Sequence, residues 1–204
     1  MDDLIRDIKR FVDYIRANSE DRKIKEYANK VYQNITDFEF KLNFDELTGL
    51  FGRKQFEKIL EKEAAFTERT GKTFAFIMLD LVGLKHVNDT YSRSVGDEYI
   101  RFASKWLSEN TRETDIIGVG RFGEGADEFG IIARGDDIDV LKTIKRLKDK
   151  LKGIIFQGTI PLMFTMGGAM YDKGGNLKAV IEKAEIILNK DKELRKKEGY
   201  KVRS

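Results

Sequence analysis

The sequence predicts an α+β fold in which helices pack against an antiparallel sheet. Three observations carry that expectation. The run "TFAFIMLD" has the length and bulk of a buried central strand. "DIIGVGRF" and "DEFGIIA" flank a glycine-rich bend and read as a β-hairpin. "PLMFTMGGAMY" is a further strand beyond an intervening helix, so the order is β-α-α-β-β-α-β-α.

Taken in order, Leu4, Ile8, Phe11 and Ile15 recur at helical spacing, as do Ile24, Ala28, Val31 and Ile35. "NSED" between them offers Ser19 as a cap, so residues 1–43 read as two helices or one broken helix. This segment has no catalytic constellation; it suits a dimerising element, the end of a sensory module or a lid. After "DELTGL" the texture changes, and residues 44–204 read as one domain. A helix from about Lys54 to Arg69 precedes the strand that ends in Asp80. Residues 84–91 and 96–109 look helical, and so do Leu141 to Leu151 and the long basic stretch Leu177 to Lys197. The tail "YKVRS" suits a short edge strand.

Composition removes whole classes of chemistry. With no cysteine and one histidine, disulfide scaffolds and thiol catalysis are excluded, and a typical zinc site nearly so. His86 lies on the helix after Asp80 and reads as a helix-surface residue rather than a general base. Any metal must then be a hard cation held by carboxylates, Mg2+ being the usual one beside phosphates. The charged residues nearly cancel to a net +3, which does not predict a nucleic-acid polymer as partner. No apolar stretch approaches the ~20 residues that span a bilayer. "MDDLIRDIKRF" is charged throughout and unlike a signal peptide, so no membrane partner and a cytoplasmic location are expected.

Asp80 closes one apolar strand, and Asp127 and Glu128 open another. In a ferredoxin-like sheet the central strands are neighbours, so the three acids can converge. Convergent carboxylates at strand ends suit a Mg2+ site for phosphoryl or nucleotidyl transfer. The glycines of "GEGA" would let backbone N–H groups approach phosphate oxygens. Solvated turn acids are the other reading of the same pattern, and these residues alone leave both open.

The order and spacing of "DELTGLFGRKQF", "FIMLDLVGLKHVNDTY", "VGDEYI" and "RFGEGADEF" resemble the GGDEF family, from Asp45 to about Val202. The resemblance implies a palm-type, nucleotide cyclase-like sheet flanked by helices. It also implies a diguanylate cyclase that condenses two GTP molecules into cyclic di-GMP and pyrophosphate. Catalysis would need Mg2+, or Mn2+ in its place, and a homodimer in which each domain brings one GTP. Carried over by motif position, Asp80, the carbonyl of Leu81 and Asp127 are the metal ligands, and Asp127 and Glu128 the catalytic signature acids. Asn88 and Asp97 are the guanine-recognition pair, a choice that suits the base because a carboxylate accepts from N1–H and N2–H2 together. Lys85 and Lys192 match phosphate-binding lysines, Gly125 and Ala126 the phosphate-approaching bend. Arg112 and Asp115 of "RETD" resemble the product-inhibition site of the family. A sensory or regulatory domain is a further implied partner.

The chain departs from the family pattern in several places. Ala126 stands at the second glycine of the signature, where a Cβ costs ~1 kcal/mol or more if the backbone takes positive φ. "GEGA" is longer than the usual two-glycine bend, and "DIIGVGR" carries two extra residues, an even insertion that preserves strand alternation. Val82 replaces the common Asp or Asn, "YSR" replaces tyrosine-glycine-histidine, and the last helix runs on through "KDKELRKKEG". These changes define the alternative, a degenerate domain that binds GTP or cyclic di-GMP without turnover. The retained Asp80, Asn88, Asp97, Asp127 and Glu128 oppose it. A polymerase palm lacks support, since no basic groove is evident.

Overall fold

The computed structural model describes residues 2–120, 128–135 and 138–197. The chain divides into two compact units, Met1–Phe44 and Asp45–Ser204. No helix among the described residues is long and apolar enough to cross a membrane.

The first unit pairs α1 (Asp2–Asn18) with α2 (Arg22–Asn43). Ile5 and Val12 on α1 and Ala28 on α2 are buried, the apolar stripe that helical spacing demands. Lys9 bridges the pair by an ion pair with Glu39. The helix break is capped by Asp21 rather than by Ser19. Asp21 Oδ1 accepts from the backbone N–H groups of Lys23 at 2.7 Å and Ile24 at 3.3 Å. Asp21 holds the position just before the first helical residue, within reach of the orphan N–H groups, while Ser19 is two residues too early. Its hydroxyl instead accepts from Asp21 N at 3.2 Å and shapes the turn. A second apolar set remains exposed: Leu4, Ile8 and Phe11 on α1, and Ile24, Val31 and Phe38 on α2.

The second unit opens with a turn in which Asp45 Oδ1 accepts from Thr48 N at 2.9 Å and Thr48 Oγ1 at 2.7 Å. There follow β1 (Phe51–Gly52), α3 (Arg53–Thr70), β2 (Phe74–Leu81), α4 (Leu84–Thr90), α5 (Arg93–Asn110), β3 (Ile116–Gly120) and β4 (Glu128–Arg134). Then come α6 (Val140–Leu151), β5 (Ile155–Phe156), β6 (Ile160–Pro161), β7 (Phe164–Tyr171) and α7 (Leu177–Lys197). The main sheet has the order β1-β3-β4-β2-β7. The expected α+β architecture is therefore present, with two differences. The two-residue β1 pairs parallel to β3, in a sheet otherwise antiparallel. Two residues are too few to show any periodicity in sequence. The strand expected from Pro161 begins only at Phe164, because residues 160–161 turn aside to pair with 155–156. Gln157 at φ 46° and Gly158 at φ 74° make that reversal. The tail read as an edge strand lies outside the described residues.

β2 is buried on both faces, as its unbroken apolar run requires. Ala75, Ile77, Leu79 and Leu81 face a core with Tyr99, Ala103 and Leu107 of α5 and Leu147 of α6. Phe74, Phe76 and Met78 face Phe56 and Leu60 of α3 and Val180, Ala184 and Leu188 of α7. By the same alternation Asp80 ends the second row, on the α7 side.

Tyr99 ties the helical layer to the end of β2. Its hydroxyl lies 3.2 Å from the Val82 carbonyl and 3.1 Å from that of Pro161, shared between the two acceptors. Burial pushes the phenol up to about 12. A folded pKa above the ordinary value near 10 contributes stability that is complete below pH ~10 and lost between pH ~10 and ~12. The loss is expected to be about 2–3 kcal/mol, at 1.36 kcal/mol per pH unit. Urea unfolding at pH 8 and pH 11 reads about half of it, roughly 1.4 kcal/mol. Tyr99→Phe should be less stable at pH 8 and should lose less between the two; an equal loss in both proteins would remove Tyr99 as the cause.

Candidate active site

The site is built at the C-terminal end of β2. Asp80 is the direct cross-strand partner of Glu128 on β4 and of Thr165 on β7. Directly paired residues project to the same face, so the two acids share the α7 side of the sheet. Glu128 is buried at 3% exposure. The next residue, Leu81, alternates to the other face and its side chain is in the core. Only its backbone carbonyl is left for a ligand. Asp127, Gly125 and Ala126 lie outside the described residues, so their expected roles stay as the motif assigns them.

The Asp80 carboxylate has a definite partner. Its Oδ2 accepts from Lys192 Nζ at 2.7 Å, with side-chain exposures of 19% for Asp80 and 30% for Lys192. The contact follows from helix spacing: Ala184, Leu188 and Lys192 are four residues apart and share one face of α7. The first two pack into the core, and the third arrives over the sheet end. Gly167 on β7 permits this approach. A Cβ there would lie 2.2 Å from the Ala184 carbonyl oxygen and 2.2 Å from Leu188 N.

Asp191 fixes the same turn of α7. Its carboxylate accepts from Lys148 Nζ at 2.7 and 2.8 Å and from Met166 N at 2.8 Å, fastening α7 to α6 and β7. Neither Asp191 nor Gly167 was identifiable from sequence. "NKDKEL" has the look of a solvated charged helix face, and only the packing singles out one of its acids.

Asn88 on α4 and Asp97 on α5 are brought together. A Cβ on Gly96 would sit 1.8 Å from Asn88 Oδ1, so the asparagine side chain lies directly against the residue preceding Asp97. Ser92 sets the start of α5 by accepting from Val95 N at 3.3 Å. Asp97 is exposed and open to a ligand, as is Lys85 on α4. His86 is partly buried on α4 with its ring near Thr90 Oγ1, at 3.4 Å from Nδ1, and touches none of these groups.

Arg112 and Asp115 stand apart. Arg134 pairs with Phe74, six residues from Asp80 along β2, which places the RETD turn about 20 Å away at ~3.3 Å per residue. Asp115 accepts from Arg112 N at 3.0 Å and Arg134 N at 3.2 Å, a role that joins the turn to β4. Arg146, which no sequence motif singles out, donates to the Asn110 carbonyl at 2.8 Å, two residues before Arg112.

Among the described residues no group of three or more His, Cys, Asp or Glu side chains gathers as a metal cluster. The donors at the end of β2 are carboxylate and carbonyl oxygens with no sulfur or imidazole among them. That donor set fits a hard divalent cation.

The family model described as "Diguanylate cyclase, GGDEF domain" matches residues 42–198. Diguanylate cyclase DosC of Escherichia coli (strain K12) is 27% identical over 152 residues, which is 72% of this chain and 32% of the relative. Probable diguanylate cyclase DgcC of the same organism is 34% identical over 91 residues, 45% of this chain and 24% of that protein. The chain thus spans about a third or less of the length of these relatives. Among solved structures, the coiled coil and GGDEF domain of DgcB from Caulobacter crescentus, in complex with c-di-GMP, matches with a TM-score of 0.70. At 20% identity that likeness concerns the fold, and it covers 87% of this chain and 92% of the other.

Proposed function

Because this chain belongs to the GGDEF family, we propose that it is a diguanylate cyclase, condensing two GTP molecules into cyclic di-GMP with release of two pyrophosphates. The observation that carries the proposal is the in-register Asp80 and Glu128 pair at the end of β2, Glu128 being the signature acid next to Asp127 in sequence. Mg2+, or Mn2+, is the proposed cofactor; when bound it supplies Lewis-acid activation of the α-phosphate and of the attacking 3′-hydroxyl. Asp80, the Leu81 carbonyl and Asp127 would hold it.

The chain's own residues bind and orient. Asn88 and Asp97 take the guanine edge, and Lys85 and Lys192 neutralise the phosphates. Each 3′-oxygen forms a bond to the α-phosphorus of the other nucleotide, the bond to the pyrophosphate oxygen breaks, and the hydroxyl proton passes to solvent water. One domain presents one GTP, so two copies must meet before either bond can form. Holding both reactants in place removes much of the entropic barrier.

Residues 1–43 are the proposed pairing element. The exposed Ile24, Val31 and Phe38 on α2 repeat every seven residues, the spacing of a helix-pairing seam. Deleting this segment is expected to shift the protein toward monomer in analytical ultracentrifugation. An unchanged dimer fraction would exclude the role.

Incubation of the protein with GTP and Mg2+, with products separated by chromatography, tests the function directly. Cyclic di-GMP is expected; its absence at high protein concentration, with GTP still bound, would instead mean a receptor without turnover. Asp97→Ala is expected to raise KM for GTP by about tenfold to a hundredfold, the range for a lost charge-assisted hydrogen bond. It should also erase the preference over ATP. Competition kinetics with the two nucleotides reads both effects, and retained discrimination would move guanine recognition elsewhere.

A further inference from the structure

We propose that Lys192 is the resident counter-ion of the Asp80 carboxylate, so that the site holds free divalent cation weakly and takes it up more tightly together with a polyphosphate. The inference rests on the cyclase reading of the site. Its starting observation is the 2.7 Å contact between Lys192 Nζ and Asp80 Oδ2, made across 112 residues of sequence by two side chains that are each mostly buried. Many of the chain's other ion pairs join residues three or four apart on one exposed helix, where side chains meet by spacing alone. This one is held by a frame.

Two elements make the frame. Gly167 lets the α7 backbone come down onto β7, closer than any side chain would allow. Asp191, the residue before Lys192, is fastened on two sides by Lys148 and by the Met166 N–H. The Lys192 backbone is therefore fixed over the sheet end, and its side chain delivers a positive charge to Asp80. Glu128, on the same face, adds a second negative group in the next strand.

An ammonium held against Asp80 Oδ2 repels a divalent cation that approaches the same carboxylate. A cation arriving alone either binds beside that positive charge or displaces Lys192 and leaves a mostly buried ammonium with its anion taken. A cation arriving on a triphosphate brings the replacement anion with it, and Lys192 passes from Asp80 to a phosphate oxygen. Metal and nucleotide then bind with positive coupling, and the coupling is reciprocal. Lys192 would be a positioning and selectivity residue beyond its phosphate contact.

Mn2+ provides the probe, followed by electron paramagnetic resonance, alone and with a GTP analogue whose α,β-bridge is methylene and cannot release pyrophosphate. In the parent, free Mn2+ should bind weakly and the analogue should tighten it. Lys192→Met should bind free Mn2+ about tenfold more tightly, within the usual range of coupling energies, while binding the Mn2+–analogue complex more weakly. Lys192→Gln, which keeps a polar end group, should behave in the same direction. Free-Mn2+ affinity unchanged or reduced in both variants, with the analogue complex still bound by the parent, would overturn this inference and leave the cyclase reading intact. A parent that binds neither Mn2+ nor the analogue would overturn both.

Discussion

Asp80→Asn is expected to lower cyclic di-GMP formation by about 1,000-fold, equivalent to ~4 kcal/mol of transition-state stabilisation. The substitution keeps the size of the side chain and removes its charge. It therefore removes the charge of the proposed metal ligand at the position where β2, β4 and α7 converge. The fold should survive. The amide oxygen of the variant side chain can still accept from Lys192, and the lost ionic part of this mostly buried pair costs about 1–3 kcal/mol. Rates from chromatographic product analysis, set beside thermal melts of both proteins, separate the two effects. A variant that keeps more than a tenth of the parental rate would mean that the metal is held elsewhere.

Gly167→Ala should be strongly destabilising for a change of a single methyl group. The added Cβ would lie 2.2 Å from backbone atoms at Ala184 and Leu188, and neither can rotate away. Either α7 lifts from the sheet or β7 bends, a strain of about 3 kcal/mol by comparison with other overpacked cores. At the scale of a domain this size, that corresponds to a fall in Tm of roughly 6–12 °C. Displacing α7 also draws Lys192 away from Asp80, so the affinity for free Mn2+ should rise as in the lysine variants. A variant that melts within about 2 °C of the parent, on the same scale, would show that α7 is not seated as described.

Much of the fold was legible because burial imposes patterns on sequence. β2 is apolar throughout the run before Asp80, and both of its faces are covered. α3, α6 and α7 begin and end within a residue or so of where apolar spacing puts them. What escaped notice was short or locally undetermined. β1 and the β5–β6 pair are two residues per strand, and long-range pairing alone makes them strands. Ser19 and Asp21 are both good caps in sequence, and the choice between them depends on where α2 actually starts.

The candidate site divides in the same way. Asn88 and Asp97 were recognisable by motif, and the structure adds the reason for the glycine between them, since any Cβ on Gly96 would collide with Asn88. Lys192 was recognisable as a lysine in the right place for a phosphate. That it already holds Asp80 was not, because the contact requires Gly167, Asp191 and the register of three strands together.

By itself the sequence determined the chemistry open to this protein. Without cysteine, and with its single histidine outside the acidic motif, only hard oxygen donors were available for a cation, and residue type alone decides that. Only the tertiary structure decided which acids share a face and what neutralises them. Strand register and helix approach are set by packing between distant segments, and a difference of one residue in register would turn Asp80 away from α7.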